Sequence, residues 1–403
     1  MVPNGWESTR LNKIAETVTS GSRDWAQYYS ESGSKFIRMT NLPRGGIYLK
    51  LDDLKYVNVH SNSSDGKRTS LKEGDLLISI TAELGKIGWV PPELGEAYIN
   101  QHTALVRIKK ESADSKYIAY LLSSHAMNHK INRLNDSGAK AGLNLPTIRS
   151  IPMVLPPLPE QRKIAKILST WDKAISTTEK LIETSKQQKK SLMQQLLTGK
   201  KRLVNPETGE AFDGEWEEVK LDEVAQCLDN KRVPLNGEQR SDMQGQYPYW
   251  GANGIVDYIN EYIFDEPIVL LAEDGGYFDE YASRPIANIS YGKCWVNNHA
   301  HIIKALDKVT NEWLYFSLVH KNIMAFINGG TRAKLNKKDM LLIKIQLPSL
   351  LEQQKIVSVL TAADKEIAVL EAKLAHFKQE KKALMQQLLT GKRRVKVDEE
   401  VAA

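Results

Sequence analysis

The chain has 403 residues, of which 41% are hydrophobic and 26% charged, with a formal net charge of +6. At roughly 100–200 residues per domain that length predicts roughly two to four domains. The composition excludes a disordered chain, and no run approaches the ~20 apolar residues of a membrane span.

The first residues, Met1 to Glu7, carry neither a basic region nor an apolar one, which argues against secretion. Strand-like runs follow at 36–39, 76–80 and 104–108, and a helical pattern at 115–122, with Gly, Pro, Asn and Asp turns between them. A long region rich in Lys, Gln, Glu, Leu and Ala then covers 160–198 without a Gly or Pro. Further strand-like runs lie at 268–271 and 301–304, a helical pattern at 312–326, and a second Gly- and Pro-free region at 352–390. Cys227 and Cys294 are far apart and form no CxxC. That excludes a disulfide framework and a zinc ribbon, and fits two small core residues in a reducing cytosol.

The two long regions are copies. Residues 155–200 align without a gap on 347–392, with 25 identities in 46 positions, and the string LMQQLLTGK at 192–200 recurs unchanged at 384–392. Weaker similarity extends backwards. Gly138 to Asn144 matches Gly330 to Asn336, Asn100-Gln101-His102 matches Asn297-Asn298-His299, and Gly5-Trp6 matches Glu215-Trp216. One unit has been duplicated, with a constant helical part and a diverged variable part.

Each constant part reads as a single helix of about 40 residues, roughly 60 Å long at 1.5 Å per residue. Prolines precede both, and Gly199 and Gly391 stop them ahead of basic residues. Apolar positions recur at alternating spacings of four and three. The first seam is Ile164, Leu168, Trp171, Ile175, Ile182, Leu192 and Leu196, interrupted by Thr178, Ser185 and Lys189. The second is Ile356, Leu360, Ile367, Leu370, Leu374, Phe377, Leu384 and Leu388. Such a heptad pattern predicts a coiled coil. The polar interruptions make a lone helix marginal, so each copy is expected to pair with the other, antiparallel, in preference to a parallel dimer of chains. In that pairing Ile164 faces the C-terminal half of the other helix and Phe377 fills the space left by Ser185.

The fold class read from these patterns is α+β: two globular domains joined by two long helices in an antiparallel coiled coil, with an internal pseudo-two-fold repeat. The divisions are 1–155, a first globular domain; 156–202, a central helical region; 203–347, a second globular domain; and 348–403, a C-terminal helical region. Their net charges, counted from the sequence, are +5, +7, −8 and +2. The first domain and first helix suit a polyanion. The second domain suits one only if its cations cluster on one face.

The motif Leu-Pro-Pro-Leu-Pro-Glu-Gln-Arg-Lys-Ile, then a Lys-rich heptad helix, then Leu-Met-Gln-Gln-Leu-Leu-Thr-Gly-Lys, present twice, resembles the specificity (S) subunit of type I restriction–modification enzymes. The segments 37–42, 247–254 and 294–299 resemble recurrent segments of its target-recognition domains. The resemblance implies that domains 1–155 and 203–347 each read one half of a bipartite, asymmetric site in double-stranded DNA across a non-specific spacer. It implies that the helices set the separation and dock two methyltransferase (M) subunits, and that restriction (R) subunits join. The subunit would catalyse nothing itself and hold no cofactor: S-adenosylmethionine, ATP and Mg2+ would be bound by its partners. The setting would be cytoplasmic.

The residues themselves carry no convincing catalytic constellation. Gly199-Lys200-Lys201 lacks the remainder of a phosphate loop, and Asn205-Pro206-Glu207-Thr208 does not match the tetrapeptide of amino-methyltransferases. Glu273-Asp274-Gly275-Gly276 lacks the Glu-x-Lys of a nuclease and reads as a turn, and no HExxH occurs. His299 and His301, two apart on an expected strand, share one face, where packing is favoured over metal binding.

Phosphate contacts position a protein on DNA, and base-edge contacts specify. Arg suits guanine, and Asn or Gln suits adenine. The candidates in the first domain are Arg38, Asn41, Arg44, Lys67, Arg68, Thr69 and Lys140. Those in the second are Lys231, Arg232, Asn253, Arg284, Arg332 and Lys334. Lys140 and Arg332 occupy matching positions and suit backbone contacts; discrimination is expected where the copies differ. Core packing is the favoured role of Tyr247, Tyr249 and Trp250. The competing function is a coiled-coil protein–protein scaffold whose globular ends bind no specific DNA.

Overall fold

The computed structural model describes residues 2–23, 25–59, 63–134, 142–329 and 333–397. Two compact units divide the chain: Met1–Glu179 with Lys373–Ala403, and Lys180–Ala372. Lys140 and Arg332 lie outside the described residues.

In the first unit a four-stranded antiparallel sheet runs in the order Ala15–Ser20, Thr103–Ile108, Leu76–Ser79, Ile87–Trp89. Every residue of Leu76–Ser79 is buried. The pleat explains how: Leu76 and Ile78 join one apolar cluster, and Leu77 joins another on the opposite face. A second sheet places Tyr29–Ser30, Lys55–Val57, Ser34–Ile37 and Ala97–Ile99 side by side, the last two strands parallel. The short pair Glu7–Arg10 and Pro152–Leu155 closes the unit and delivers the chain to the first long helix.

The second unit repeats this order: Ala225–Cys227, Ala300–Ala305, Ile268–Ala272 and Ala287–Ser290 in one sheet. Gly254–Ile259, Gln244–Gly251, Lys293–Val296 and Phe264–Asp265 form the other. Glu217–Lys220 pairs with Lys344–Leu347 ahead of the second long helix. Tyr249 is buried in the middle strand of that second sheet and Tyr247 packs edge-on against Tyr262, so the aromatic cluster does pack. Cys294 is buried and Cys227 half-buried, both as free thiols.

The long helices are Leu158–Leu196 and Leu350–Leu388, each 39 residues. Gly199 and Gly391 follow them at φ +69° and +70°, the left-handed conformation that ends a helix without a Cβ penalty. All the seam positions are buried or half-buried, whereas the intervening faces are largely exposed. The helices are antiparallel in each unit. In the first, Asp172 pairs with Lys381 and, further along, Glu179 with Lys378. In the second, Lys186 pairs with Glu371 and Lys189 with Asp364. These are the same two bridges, displaced by 192 residues. Ile164 and Leu168 share an apolar cluster with Leu388, as the pairing requires, and Leu196 shares one with Ile356 and Leu360.

Three expectations need correction. Phe377 does not fill the space at Ser185; it packs edge-to-face on Trp171, 5.6 Å between ring centroids, because the register that pairs Asp172 with Lys381 and Glu179 with Lys378 sets it beside that stretch of the first helix, ahead of Ser185. The helix expected over 312–326 is Asn311–Leu318, followed by a separate 3-10 turn at Met324–Phe326. There the Asn322 side chain accepts the Met324 N–H, a local bond that competes with helical pairing. Finally, His299 and His301 do not share a strand face. The Asn297 side chain accepts the His299 N–H in a turn, so the strand begins only at Ala300.

The exposed bridges Lys186–Glu371 and Lys378–Glu179 have side chains about half accessible. Exposed pairs of this kind contribute little. Glu371→Lys is therefore expected to change unfolding free energy by less than about 1 kcal/mol, measured by urea denaturation; a larger loss would mean that the bridge is shielded from solvent.

Candidate nucleic-acid interface

Each unit presents an open cleft at one end of its buried sheet, built by the same local bonds. In the first unit the Ile80 N–H donates to the His102 carbonyl at 3.0 Å and the Leu143 N–H to the Ile80 carbonyl at 2.9 Å. In the second, Glu273 donates to His299 at 2.9 Å and Leu335 to Glu273 at 2.8 Å. The Asn100 and Asn297 side chains each accept the N–H of the histidine two residues on. Thr81 bridges to Gly142 where Asp274 bridges to Lys334. Thr81 and Asp274 therefore occupy matching places, each beside the matching histidine.

The cleft chemistry differs. The first, about 780 Å³, is lined by Arg23, Arg68, Thr81, Gln101, His102 and Asn144, among others. The Thr81 hydroxyl lies 2.9 Å from His102 Nδ1, and Gln101 Nε2 lies 3.1 Å from His102 Nε2. The second, about 390 Å³, lies between the hairpin tip Gly251 to Val256 and the residues Asp274, Gly275, Asn297 and His299. There Asp274 Oδ2 is 3.5 Å from His299 Nδ1.

The candidate residues divide by placement. Arg68 lines the first cleft and donates to Ser22 and to Asp65. Lys67, on the same short helix, is exposed, whereas Thr69 is 0% exposed and its hydroxyl donates to the Asp65 carbonyl. Arg38 and Asn41 form a knot within the domain. Asn41 is 2% exposed; it accepts the Arg38 N–H and donates to the carbonyls of Lys50 and Asp53, while Arg38 pairs with Asp53 at 3.0 Å. Arg44 is exposed and pairs with Glu83. In the second unit Asn253 lines the cleft and donates to the Gly275 carbonyl at 2.9 Å. Lys231 is exposed. Arg284 lies 3.1 Å over the Tyr277 ring and pairs with Glu280.

Arg232 and Lys334 converge elsewhere, on a buried acidic group behind the second cleft. Arg232 bonds Glu273 at 2.5 Å and lies 3.4 Å from Asp229, and Lys334 reaches Glu273 at 3.2 Å. His301 lies between them, 2.6 Å from Asp229 through Nδ1 and 2.9 Å from the Leu335 carbonyl through Nε2. Burial opposes ionisation of both acids. For Asp229 the bonds from His301 and the Ile302 N–H prevail, and for Glu273 the Arg232 bond and the neighbouring charges do, so both carboxyls are held below the ordinary range. Asp229, Glu273 and His301 bring potential ligand atoms within 4.8 Å of one another. The Arg232 guanidinium already supplies the positive charge there, so the set reads as an internal ion network.

Gln101, His102, Thr81, Asp274 and His299 were not among the candidates, nor was Arg23. The signal for the histidines was in the sequence, as the repeated Asn-x-His, but its shift of 197 differs from the 192 of the helices. The hydrogen bonds bear out that match, since the two turns are built alike.

The family model for the type I restriction modification DNA specificity domain matches the chain twice, over residues 3–187 and 213–379. The chain belongs to this family. Its specificity-domain relatives include a putative type I restriction enzyme specificity subunit of Haemophilus influenzae, 39% identical over 38% of each chain. The putative MjaX specificity subunit of Methanocaldococcus jannaschii is 27% identical over 98% of this chain and 95% of that one. Among solved structures, the S subunit of a type I restriction–modification system from M. genitalium superposes with a TM-score of 0.65 at 15% identity, covering 96% of this chain and 99% of that one. That likeness supports the two-domain, two-helix specificity-subunit fold. No helix among the described residues is long and apolar enough to cross a membrane.

Proposed function

We propose that this type I specificity subunit recognises a bipartite, asymmetric DNA target, one half-site per globular domain, across a spacer whose bases are not read. In this reading the helices, each roughly 58 Å long at 1.5 Å per residue, fix the half-site separation and dock two methyltransferase subunits, with restriction subunits joining them. The chain is a non-catalytic adaptor: S-adenosylmethionine, ATP and Mg2+ belong to the partners, and the setting is the cytoplasm.

The observation that carries the reading is the pairing of sameness and difference. The helix bridges repeat residue for residue, Asp172–Lys381 as Asp364–Lys189, while the matched clefts hold different side chains. A scaffold binding one partner type at each end would have no need of unlike clefts on a repeated frame. An asymmetric DNA site has that need, because base edges are told apart by donor and acceptor pattern.

The test is footprinting of the complex assembled with its methyltransferase subunits, together with methylation sequencing of the host genome. Two protected patches separated by an unprotected spacer are expected, with affinity falling steeply as salt rises. A single patch, or affinity indifferent to salt and sequence, would favour the protein scaffold.

A further inference from the structure

We infer that Val256, with Ile255 beside it, is a specificity-determining residue of the second domain, taking the 5-methyl group of a thymine in the half-site that domain reads. The inference rests on the proposed DNA function and assigns a role within it.

Both side chains are open to solvent at the second cleft. Val256 is 58% exposed and Ile255 44%, and both line the cleft alongside Asn253, Asn297 and His299. Consecutive residues of a regular strand point to opposite faces. Here the register slips: Trp250 pairs with Ile255 and Tyr249 with Asp257, so Val256 is the extra residue of a β-bulge. A bulge sets two residues against one and re-aims a side chain, which accounts for both neighbours reaching one cleft. Gly251 makes room for the result, since a Cβ there would lie 2.7 Å from Val256 Cγ2. The hairpin tip is held in place, because Asn253 donates to the Gly275 carbonyl.

The matching strand of the first unit, Ser34–Ile37, pairs parallel with Ala97–Ile99 as Gln244–Gly251 does with Lys293–Val296, but it leads into the knot of Arg38 and Asn41 instead of a hairpin. The apolar ledge therefore lies where the copies differ, the place expected to discriminate. The major groove admits a two-stranded ribbon, and of the four bases only thymine offers a methyl group there, which apolar side chains contact. Two apolar side chains within a polar rim suit one methyl group; a protein partner would need a broader apolar patch. The contact needs no cation, in keeping with the net charge of −8 on residues 203–347.

The experiment uses the complex assembled with methyltransferase subunits and synthetic duplexes of its target in which each thymine is replaced singly by uracil, which lacks only the methyl group. In the wild type, replacement of one thymine in one half-site is expected to cost about 4-fold in affinity, the size of one buried methyl-sized group. Val256→Ser is expected to abolish that cost, binding thymine and uracil alike there, while affinity for the other half-site keeps its wild-type pattern and so reports folding and assembly. Ile255→Ser is expected to reduce the cost at the same position only. A target in which no uracil substitution costs affinity would overturn the inference, as would a full set of costs persisting in Val256→Ser. Failure of Val256→Ser to assemble with the methyltransferase subunits, with Ile255→Ser keeping the full cost, would overturn it in favour of a protein contact. A wild-type complex without bipartite preference would instead fail the proposed function, and this inference with it.

Discussion

Glu352→Gln is expected to lower the stability of the second unit by about 3 kcal/mol, and the matching Glu160→Gln to lower that of the first by clearly less. Both acids sit in the first turn of a long helix and clasp the end of the other helix. Glu352 is 2% exposed on its side chain; it accepts Arg202 at 2.7 and 2.8 Å and the Trp216 indole N–H at 3.1 Å. Glu160 accepts Arg394 at 2.7 Å through each oxygen. Bidentate Arg–carboxylate pairs are strong, and removing one partner leaves the other charge poorly solvated. The asymmetry follows from accessibility: the Arg202 side chain is 23% exposed and Arg394 44%, so Arg394 rehydrates more readily. Trp216 would also compete with Arg202 for the one acceptor oxygen that Gln retains, whereas among the described residues the buried Trp6 indole N–H has no hydrogen-bond partner to lose. Urea unfolding combined with amide exchange in the two helix starts measures both effects. An equal or larger loss for Glu160→Gln would refute this account of the clasp.

A comparable loss, about 3 kcal/mol, is expected from Asp229→Asn, because Arg232, His301 and the Ile302 N–H all converge on that carboxylate. The effect should depend on pH. The Asp229 and Glu273 carboxyls ionise more readily in the folded chain than in the unfolded one. Between the two states the unfolded chain binds more protons, so stability rises with pH through this window. The contribution is complete above the ordinary carboxylate value of about 4 and is lost as pH falls through the lower folded values. Asp229→Asn should therefore destabilise most at neutral pH and progressively less in acid. Denaturation midpoints from about pH 5 downwards that kept the wild-type and variant curves parallel would contradict this.

The helices and central strands were legible because one physical signal decides them. Heptad spacing names the seam, and short apolar runs such as Leu76-Leu77-Ile78 and Ile268-Val269-Leu270-Leu271, bounded by turn residues, are too short for helices and read as strands buried on both faces. The clefts were much less so. Arg, Lys, Asn and Thr have similar weight in a sequence whether they face solvent or tie a turn. Asn41 and Thr69 spend their polar groups on backbone carbonyls, and Arg232 spends its charge on Glu273, pairings made across long sequence separations. Phe377 meets Trp171 and not Ser185 for a similar reason: periodicity gives the face of a helix but not the register against its partner. Trp171 was on the same seam, and only the packing chose it.

The first unit is discontinuous in sequence, and this bears on how the polypeptide matures during translation. Residues 180–372 form their unit from one uninterrupted stretch, but the first unit needs 373–403 as well. Ile164 and Leu168 share their apolar cluster with Leu388 and Leu389, and Glu160 meets Arg394, so the side chains that cover them leave the ribosome only after the whole of residues 180–372. Until then the start of the central helix presents its greasy stripe to the surroundings, and the nascent protein would complete its second-encoded half before its first.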